Sequence, residues 1–474
     1  MLKKIILITS ICILIIGHAW AQDFGFGSPD EDETPSKLGA LIPPVSLGGE
    51  ISAGVIGYLN EMSEGAGHIN TREMFMLSGK LKFSAQSSFA EGVIKIKLIP
   101  AIIPVSIDEA YIGAFFKGFD ISAGLKKVTW GKADQFGPLD IINLPDQSKL
   151  FIEMADNSNL MDVKVANPVI HASYRFGQFS KVECVFLPSF EVVSMAVSSA
   201  LTGDSNPMSA LLIGSTSERW IPEKMKDLAK LIPQSEKGLK CETSGLDYAQ
   251  AGLRYTTSIN SIDIGAQYFY GRMFQPAVRV NLNPMDPNNP VGPSIENVEI
   301  LFNKYHQIGL DYAQVLAGFN IRAEVAANIT EDLNGDYGYI YNPSIGWSLG
   351  FDRDLIFGIN INLQANGTIR LFDDKVSSAN IFDSNFDNEA GASMTSTRIT
   401  SMLSKKFLRD ELELRTAVVW GIDSEDCVII PSLIWIKDSL RAALSGGFFL
   451  GDTEGQLGQY KNNNFLKVSL AYSF

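Results

Sequence analysis

The sequence is poor in the side chains on which most catalytic and metal centres are built. Among 474 residues there are four Cys and four His. No C-x-x-C pair and no H-E-x-x-H occurs, so no zinc centre is expected. Beyond residue 21 only His68, His171 and His306 remain, none beside a nucleophile or acid that would make a proton-transfer pair. Gly346-Trp347-Ser348-Leu349-Gly350 fits G-x-S-x-G, but that motif works only at a strained strand-to-helix turn. Here it falls in a predicted strand, 339–350, running into the short turn 351–355. Neither an enzyme nor a cofactor is expected. Cys184, Cys241 and Cys427 are too few and too scattered for a disulfide scaffold. Cys184 and Cys241 flank a long insert, and one bridge there is compatible with an exported chain. Acidic Asp423, Glu425 and Asp426 form a cluster of solvated charges or a loose calcium site.

Positive charge is also scarce. Without Lys3 and Lys4, the 39 basic side chains fall to 37 against 53 acidic ones, a formal charge of −16. That lacks the basic footprint of a nucleic-acid binder. No stretch beyond residue 21 has about 18 consecutive apolar residues, so no transmembrane helix is expected. Yet 46% of the chain is hydrophobic, with 28 Phe and 14 Tyr.

What is present begins with an export signal. Lys3 and Lys4 precede the apolar run Ile5 to Ile16, and Ala19-Trp20-Ala21 is an A-x-A cleavage site. Residues 1–21 are read as a signal peptide with Gln22 as the mature start. Cys12 lies inside the apolar run behind Ile11, so no lipid anchor is expected. Residues 22–47 begin acidic and turn-rich and read as a periplasmic tether. From about Gly48 the chain alternates with period two. Ile94, Ile96 and Leu98 alternate with Lys95 and Lys97. Ile321, Val325 and Ile329 oppose Arg322, Glu324 and Asn328, and Ile361 and Leu363 oppose Asn360, Asn362 and Gln364.

Strands of about ten residues with one apolar and one polar face suit a transmembrane barrel with a wet interior. A soluble sandwich alternates too. The connections favour the barrel, because short ones (116–120, 176–180, 257–261, 316–319, 351–355, 407–411, 437–440) alternate with long ones (131–165, 191–246, 273–302, 331–338, 371–394, 452–463). The expected fold is all-β: a transmembrane antiparallel up-and-down β-barrel, residues 48–474, of about 18 strands with long outer loops and short periplasmic turns. The last segment alternates Leu466, Val468, Leu470, Tyr472 and Phe474 with polar or small residues. It reads as the closing strand and resembles the signal recognised by the outer-membrane insertion machinery.

One stretch breaks the alternation. A strand ends at Trp130-Gly131 and is followed by Phe136, Pro138 and Asp140-Ile141-Ile142-Asn143. This resembles a family of porin-like bacterial outer-membrane barrels, some loosely grouped with alginate-export-type channels. The departure is Leu144-Pro145-Asp146, where that family has proline directly after the asparagine. The resemblance implies a loop within 131–165 that folds inward and narrows a pore; a structural cap over the mouth is the alternative. Trp130 can anchor the loop through a carbonyl partner, and Asp140 and Asn143 can hold a turn. In the apolar insert 191–246, Ser217 to Ile232 reads as an amphipathic helix, a lid or plug.

The functional expectation is a porin-like channel for passive diffusion of small solutes. Lys95, Lys97, Arg322, Glu324, Asn360, Asn362 and Gln364 would line it, and Trp130, Phe136, Asp140 and Asn143 would narrow it. The alternatives are a fatty-acid-type channel for hydrophobic compounds and a non-transporting adhesin barrel. Expected partners are outer-membrane lipid, the insertion machinery and a small solute, without nucleic acid.

Overall fold

Period-two segments pair edge to edge along the chain until the last meets the first. The computed structural model describes residues 44–60, 75–99, 103–145, 147–156, 160–189, 220, 239–240, 245–275, 277–283, 294–373, 394–453 and 455–474. Eighteen of its strands form one antiparallel sheet. They are β1 (Val45–Tyr58), β2 (Phe75–Gln86), β3 (Ala90–Ile99), β4 (Ile103–Phe116), β5 (Phe119–Lys126), β6 (Asn167–Phe176), β7 (Ser180–Leu187), β8 (Gln250–Ile259) and β9 (Ile262–Arg272). There follow β10 (Lys304–Leu316), β11 (Phe319–Thr330), β12 (Ser344–Asp354), β13 (Ile359–Arg370), β14 (Thr395–Phe407), β15 (Leu412–Gly421), β16 (Asp426–Lys437), β17 (Leu440–Leu450) and β18 (Phe465–Ser473). Each pairs with its neighbours in this order, and β18 pairs with β1 from Glu50↔Ser473 to Tyr58↔Phe465. Closure leaves no edge with unpaired backbone groups, which hydrocarbon would not tolerate. The expected eighteen-stranded barrel is the observed fold.

Opposed residues share a face, so the register carries one inner face round the circle. Glu109 sits opposite Lys95, Gln267 opposite Arg254, Glu324 opposite Asp311, Gln364 opposite Gly350 and Lys467 opposite Ser445. The outer face carries Ile112, Leu253, Leu310, Val325, Leu349, Leu403, Leu444 and Leu470, all exposed, with Ile112 71% accessible. An apolar surface of this extent belongs in lipid.

At one end the strands are joined by short turns such as 117–118, 260–261, 317–318 and 438–439. Asn260 and Ser261 both have positive φ (49° and 67°), the twist that matches a two-residue hairpin to its strands. The start of β1 and the end of β18 lie at this end too. The longer connections, including 127–166, 273–303 and 331–343, are at the other.

Several local expectations shift. The first strand starts at Val45, inside the region read as tether. β12 is Ser344–Asp354 instead of 339–350. Phe351 continues the outward alternation, and Asp352 turns inward to Arg322, so the turn moves to 355–358. The connection 273–302 is not strandless, since Ala277–Asn283 pairs with Ser294–Leu301 and the latter with Leu239–Lys240. A helix, α1 (Gln147–Asp156), lies within 131–165. Cys184 is a free thiol, exposed in β7. The signal peptide, nearly all of the tether, Cys241 and the body of the 191–246 insert, with its expected helix, lie outside the described residues.

Candidate functional site: the inner wall and the β5–β6 connection

The connection 127–166 lies inside the barrel. Its root is fastened by Asn143, whose Oδ1 accepts the Val128 N–H (2.6 Å) and whose Nδ2 donates to Val165 O (2.7 Å) and Lys126 O (3.3 Å). One amide thus ties the outgoing limb to the returning one. The limbs are joined again by an ion pair between Asp140 and Lys164, both nearly buried, with Lys164 also donating to Thr129 Oγ1 (2.9 Å). Burial raises the Asp140 pKa to about 6 against the opposing pull of Lys164, and Glu324 nearby raises it further. Lys127 donates to both Asp108 oxygens (2.9 and 3.1 Å). Burial and Lys97 nonetheless lower its pKa.

Beyond the root, the outgoing limb is held by one wall carboxylate. Glu324 accepts the backbone N–H of Lys132, of Ala133 (2.7 Å) and of Leu139 (3.3 Å). Gly131 makes this possible. Its φ is 95°, which L side chains rarely adopt, and a Cβ there would lie 2.4 Å from Glu324 Oε1. The Trp130-Gly131 pair is therefore a bend moulded onto the wall. Trp130 packs among Val128, Ile142, Val169, Val185, Phe269 and Tyr305. Inward glycines serve as seats for the limb: added Cβ atoms at Gly252, Gly309 and Gly346 would collide with Trp130, Leu139 and Pro138 respectively. The Trp130 indole N–H, expected to meet a carbonyl, has no hydrogen-bond partner among the described residues.

The tip of the limb meets the residues singled out in β11 and β13. Arg322 bridges Asp134 and Asp352, the latter at 2.6 Å. Asn362 Nδ2 donates to Asp134 Oδ2 (2.9 Å), Gln364 Oε1 accepts the Gln135 N–H (3.2 Å), and Gln364 Nε2 donates to Phe136 O (3.4 Å). Burial raises the Asp134 pKa despite Arg322. Glu324 and Gln364 are buried beneath the limb, 4% and 2% accessible. They hold the connection where water was expected. Asn360 is not part of this group and donates to Asp354 Oδ1 (2.8 Å) at the short-turn end.

The rest of the connection crosses to the opposite wall. There α1 sets carbonyls of its last two turns, of which that of Ala155 is one a helix leaves unpaired, against donors of β16 and β18. Ser432 Oγ donates to Ala155 O (2.6 Å) and Lys467 Nζ to Ile152 O (3.1 Å). Asp156 pairs with Lys467 (2.8 Å) and accepts from Ser445 and Ser469. Phe151 of α1 joins Phe449, Tyr460 and Trp220, the last a residue of the 191–246 insert, in an apolar cluster inside the barrel. The returning limb passes β2 and β3, where Lys80 donates to Asp162 Oδ2 (3.1 Å) and Lys97 to Asp162 O (3.2 Å). Lys97 also pairs with Asp108 (2.7 Å), and Lys95 with Glu109.

Four sequence-singled residues therefore meet at the limb: Arg322, Glu324, Asn362 and Gln364. Lys95 and Lys97 stand together on another sector. Asp156, Lys164, Gln267 and Gln307 were missed; Gln267 and Gln307 donate to Leu139 O and Pro138 O (both 3.1 Å). Their signal was only inward parity. Asp423 and Asp426 spend their oxygens on nearby donors, including the Thr397 N–H at the start of β14 and the Leu457 N–H of the β17–β18 connection. Ser348 lies buried in mid-strand of β12, away from the turn its motif would need. Leu470 and Tyr472 stand exposed on the outer face of β18, and Phe474 exchanges two backbone hydrogen bonds with Gly49.

No family model and no curated protein matches the sequence. Among solved structures the chain is similar to Pseudomonas aeruginosa OccK9 (OpdG), with 8% identity over 91% of this chain and 97% of that one and a TM-score of 0.47. It is similar to Pseudomonas aeruginosa OpdL, with 8% identity over 92% and 99% and a TM-score of 0.46. It is also similar to Salmonella typhi OmpF in complex with daunomycin, with 8% identity over 91% and 97% and a TM-score of 0.41. Likenesses this distant leave the barrel to rest on its own closed register.

Proposed function

We propose that this protein is a porin-like channel of the bacterial outer membrane, through which small solutes diffuse passively past the 127–166 connection. The observation that carries the reading is the limb held inside the barrel by Glu324, Arg322, Asn362 and Gln364. A connection fastened across a polar interior narrows it at a fixed height, and width and charge at a constriction set which solutes pass. Asp134, Arg322 and Lys97 keep partial exposure there, so both signs of charge face the route. Export by residues 1–21 and insertion through the C-terminal strand bring the chain to that membrane.

A second reading has one observation in its favour. Phe151, Trp220, Phe449, Tyr460 and Phe465 gather apolar side chains inside the barrel, packed against one another, and a route for hydrophobic compounds would have to open along them.

The test is planar-bilayer conductance with liposome swelling by charged and neutral solutes. The parent should conduct, and replacing 132–138 by a short Gly-Ser linker should raise single-channel conductance severalfold. Unchanged conductance in a folded deletion variant would overturn the constriction. Absence of conductance in both proteins would overturn the channel.

A further inference from the structure

The outer face of β9 and β10 carries a graded column that the channel reading does not use. Register places Arg272 opposite Lys304 at the long-loop rim, then Tyr270 opposite His306, Tyr268 opposite Ile308 and Ala266 opposite Leu310. From the rim towards mid-height the pairs run from two cations, through aromatic and imidazole rings, to aliphatic groups. Like charges directly opposed on a sheet repel, so Arg272 and Lys304 side by side ask for a shared anion. Neither is fully satisfied. Arg272 gives one N–H from each terminal nitrogen, to Phe302 O (3.0 Å) and Asp247 O, and each of these nitrogens carries a second N–H. Lys304 Nζ lies 4.0 Å from Glu331 Oε1, and both side chains are 43% exposed.

The neighbourhood has room and complementary chemistry. A cavity of about 150 Å3 opens on the Arg272 side of the pair, lined by Tyr248, Arg272, Glu331 and Tyr339 among others but not by Lys304. The Arg272 guanidinium carbon lies over the Tyr248 ring, 4.4 Å from its centroid, a cation–π contact. Glu331 Oε2 accepts the Lys304 N–H (3.1 Å), and its carboxylate can accept from a ligand hydroxyl. One step lower, Tyr268 Oη lies 2.7 Å from His306 Nδ1. With the phenol donating, the ring proton is on Nε2 and available. Below, Ile308 and Leu310 are more than half exposed.

We infer that this column is a binding site for one anionic membrane lipid, whose phosphate headgroup also carries hydroxyls. The phosphate sits between Arg272 and Lys304, a headgroup hydroxyl donates to Glu331, Tyr268 and His306 lie at the headgroup boundary, and the acyl chains run over Ile308 and Leu310. The inference rests on the barrel spanning a membrane, not on its conducting solutes.

The experiment is native mass spectrometry of the full protein taken from nanodiscs of phosphatidylcholine containing a minor share of phosphatidylglycerol. Phosphatidylglycerol should be retained selectively. The Arg272→Gln, Lys304→Gln variant should lose that retention by about thirtyfold, roughly fivefold for each basic residue near an anionic surface. Lys405→Gln, on β14, should lose none. Equal retention of both lipids, equal retention by parent and double variant, or an equal loss in Lys405→Gln would overturn the site. Complete displacement by inorganic phosphate would reveal a free-anion site and overturn the lipid assignment. If the double variant does not fold, Lys304→Gln and His306→Gln singly carry the same comparison. Conductance in planar bilayers separates the two readings, because a non-conducting parent that still retains phosphatidylglycerol sinks only the channel.

Discussion

Glu324 illustrates how one side chain can be read correctly for its face and not for its work. Alternation in β11 puts a carboxylate on the inner face, where it would be expected to meet water. Instead it accepts three loop N–H groups. Hydrogen bonds to a charged acceptor contribute about 1.5–3 kcal/mol each. Glu324→Ala should therefore free the limb and give noisier, larger single-channel openings, with little change in barrel content by circular dichroism. Recordings indistinguishable from the parent would count against the anchor. Asp140 makes a pH prediction. Its folded pKa, about 6, lies above the ordinary carboxylate value because burial outweighs Lys164. A raised carboxylate favours the folded state most at low pH, and that contribution is lost as pH rises towards and through 6. Between pH 7.5 and 5 the carboxylate takes up a proton and leaves the Lys164 charge uncompensated. The reversal potential should shift towards anion selectivity across that interval, and Asp140→Asn should abolish the step.

At the scale of elements, the informative piece is the 127–166 connection. Its entry was legible only in part: Trp130-Gly131 and the two prolines mark the departure from the sheet, but the strand expected to run to Trp130 ends at Lys126. Asn143 was legible as a turn-holder, and the structure makes it the staple of both limbs. The helix was not, because α1 is short and its amphipathic face is matched only by a wall far away in sequence. Its docking depends on the buried Asp156–Lys467 pair. Removing one partner of such a pair costs about 3–5 kcal/mol, since the other charge stays buried. Lys467→Met should undock α1 and expose 147–156 to limited proteolysis while the barrel stays heat-modifiable. Equal protection of that segment in parent and variant would refute the docking role.

For the whole molecule the decisive contact is between its ends. β1 and β18 close the sheet, and Phe474 exchanges N–H···O bonds with Gly49 in both directions (2.9 and 3.0 Å). Tyr472 and Phe474 stand on the outer face. Replacing both with Asp should lower the yield of heat-modifiable barrel severalfold, since charge on the lipid side is unfavourable to a degree set by depth. Normal yields of folded protein would show that closure does not need them.

The sequence by itself determined the inner and outer faces. A period of two is local, and a slip of one residue would put Lys95 or Arg322 into hydrocarbon at roughly 2–4 kcal/mol each near the midplane. It likewise pointed to the antiparallel barrel, because short connections alternate with long ones along the chain, an asymmetry that two-faced strands in a soluble sandwich do not require. Only the tertiary structure decided what the inner face touches. Whether Glu324 meets water or a loop amide depends on where Lys132 lies across the barrel, and whether β12 ends at 350 or 354 depends on Arg322 reaching Asp352 from the neighbouring strand. Contacts between residues far apart in the chain leave no period in the sequence, so parity could place these side chains on the inner wall but could not name their partners.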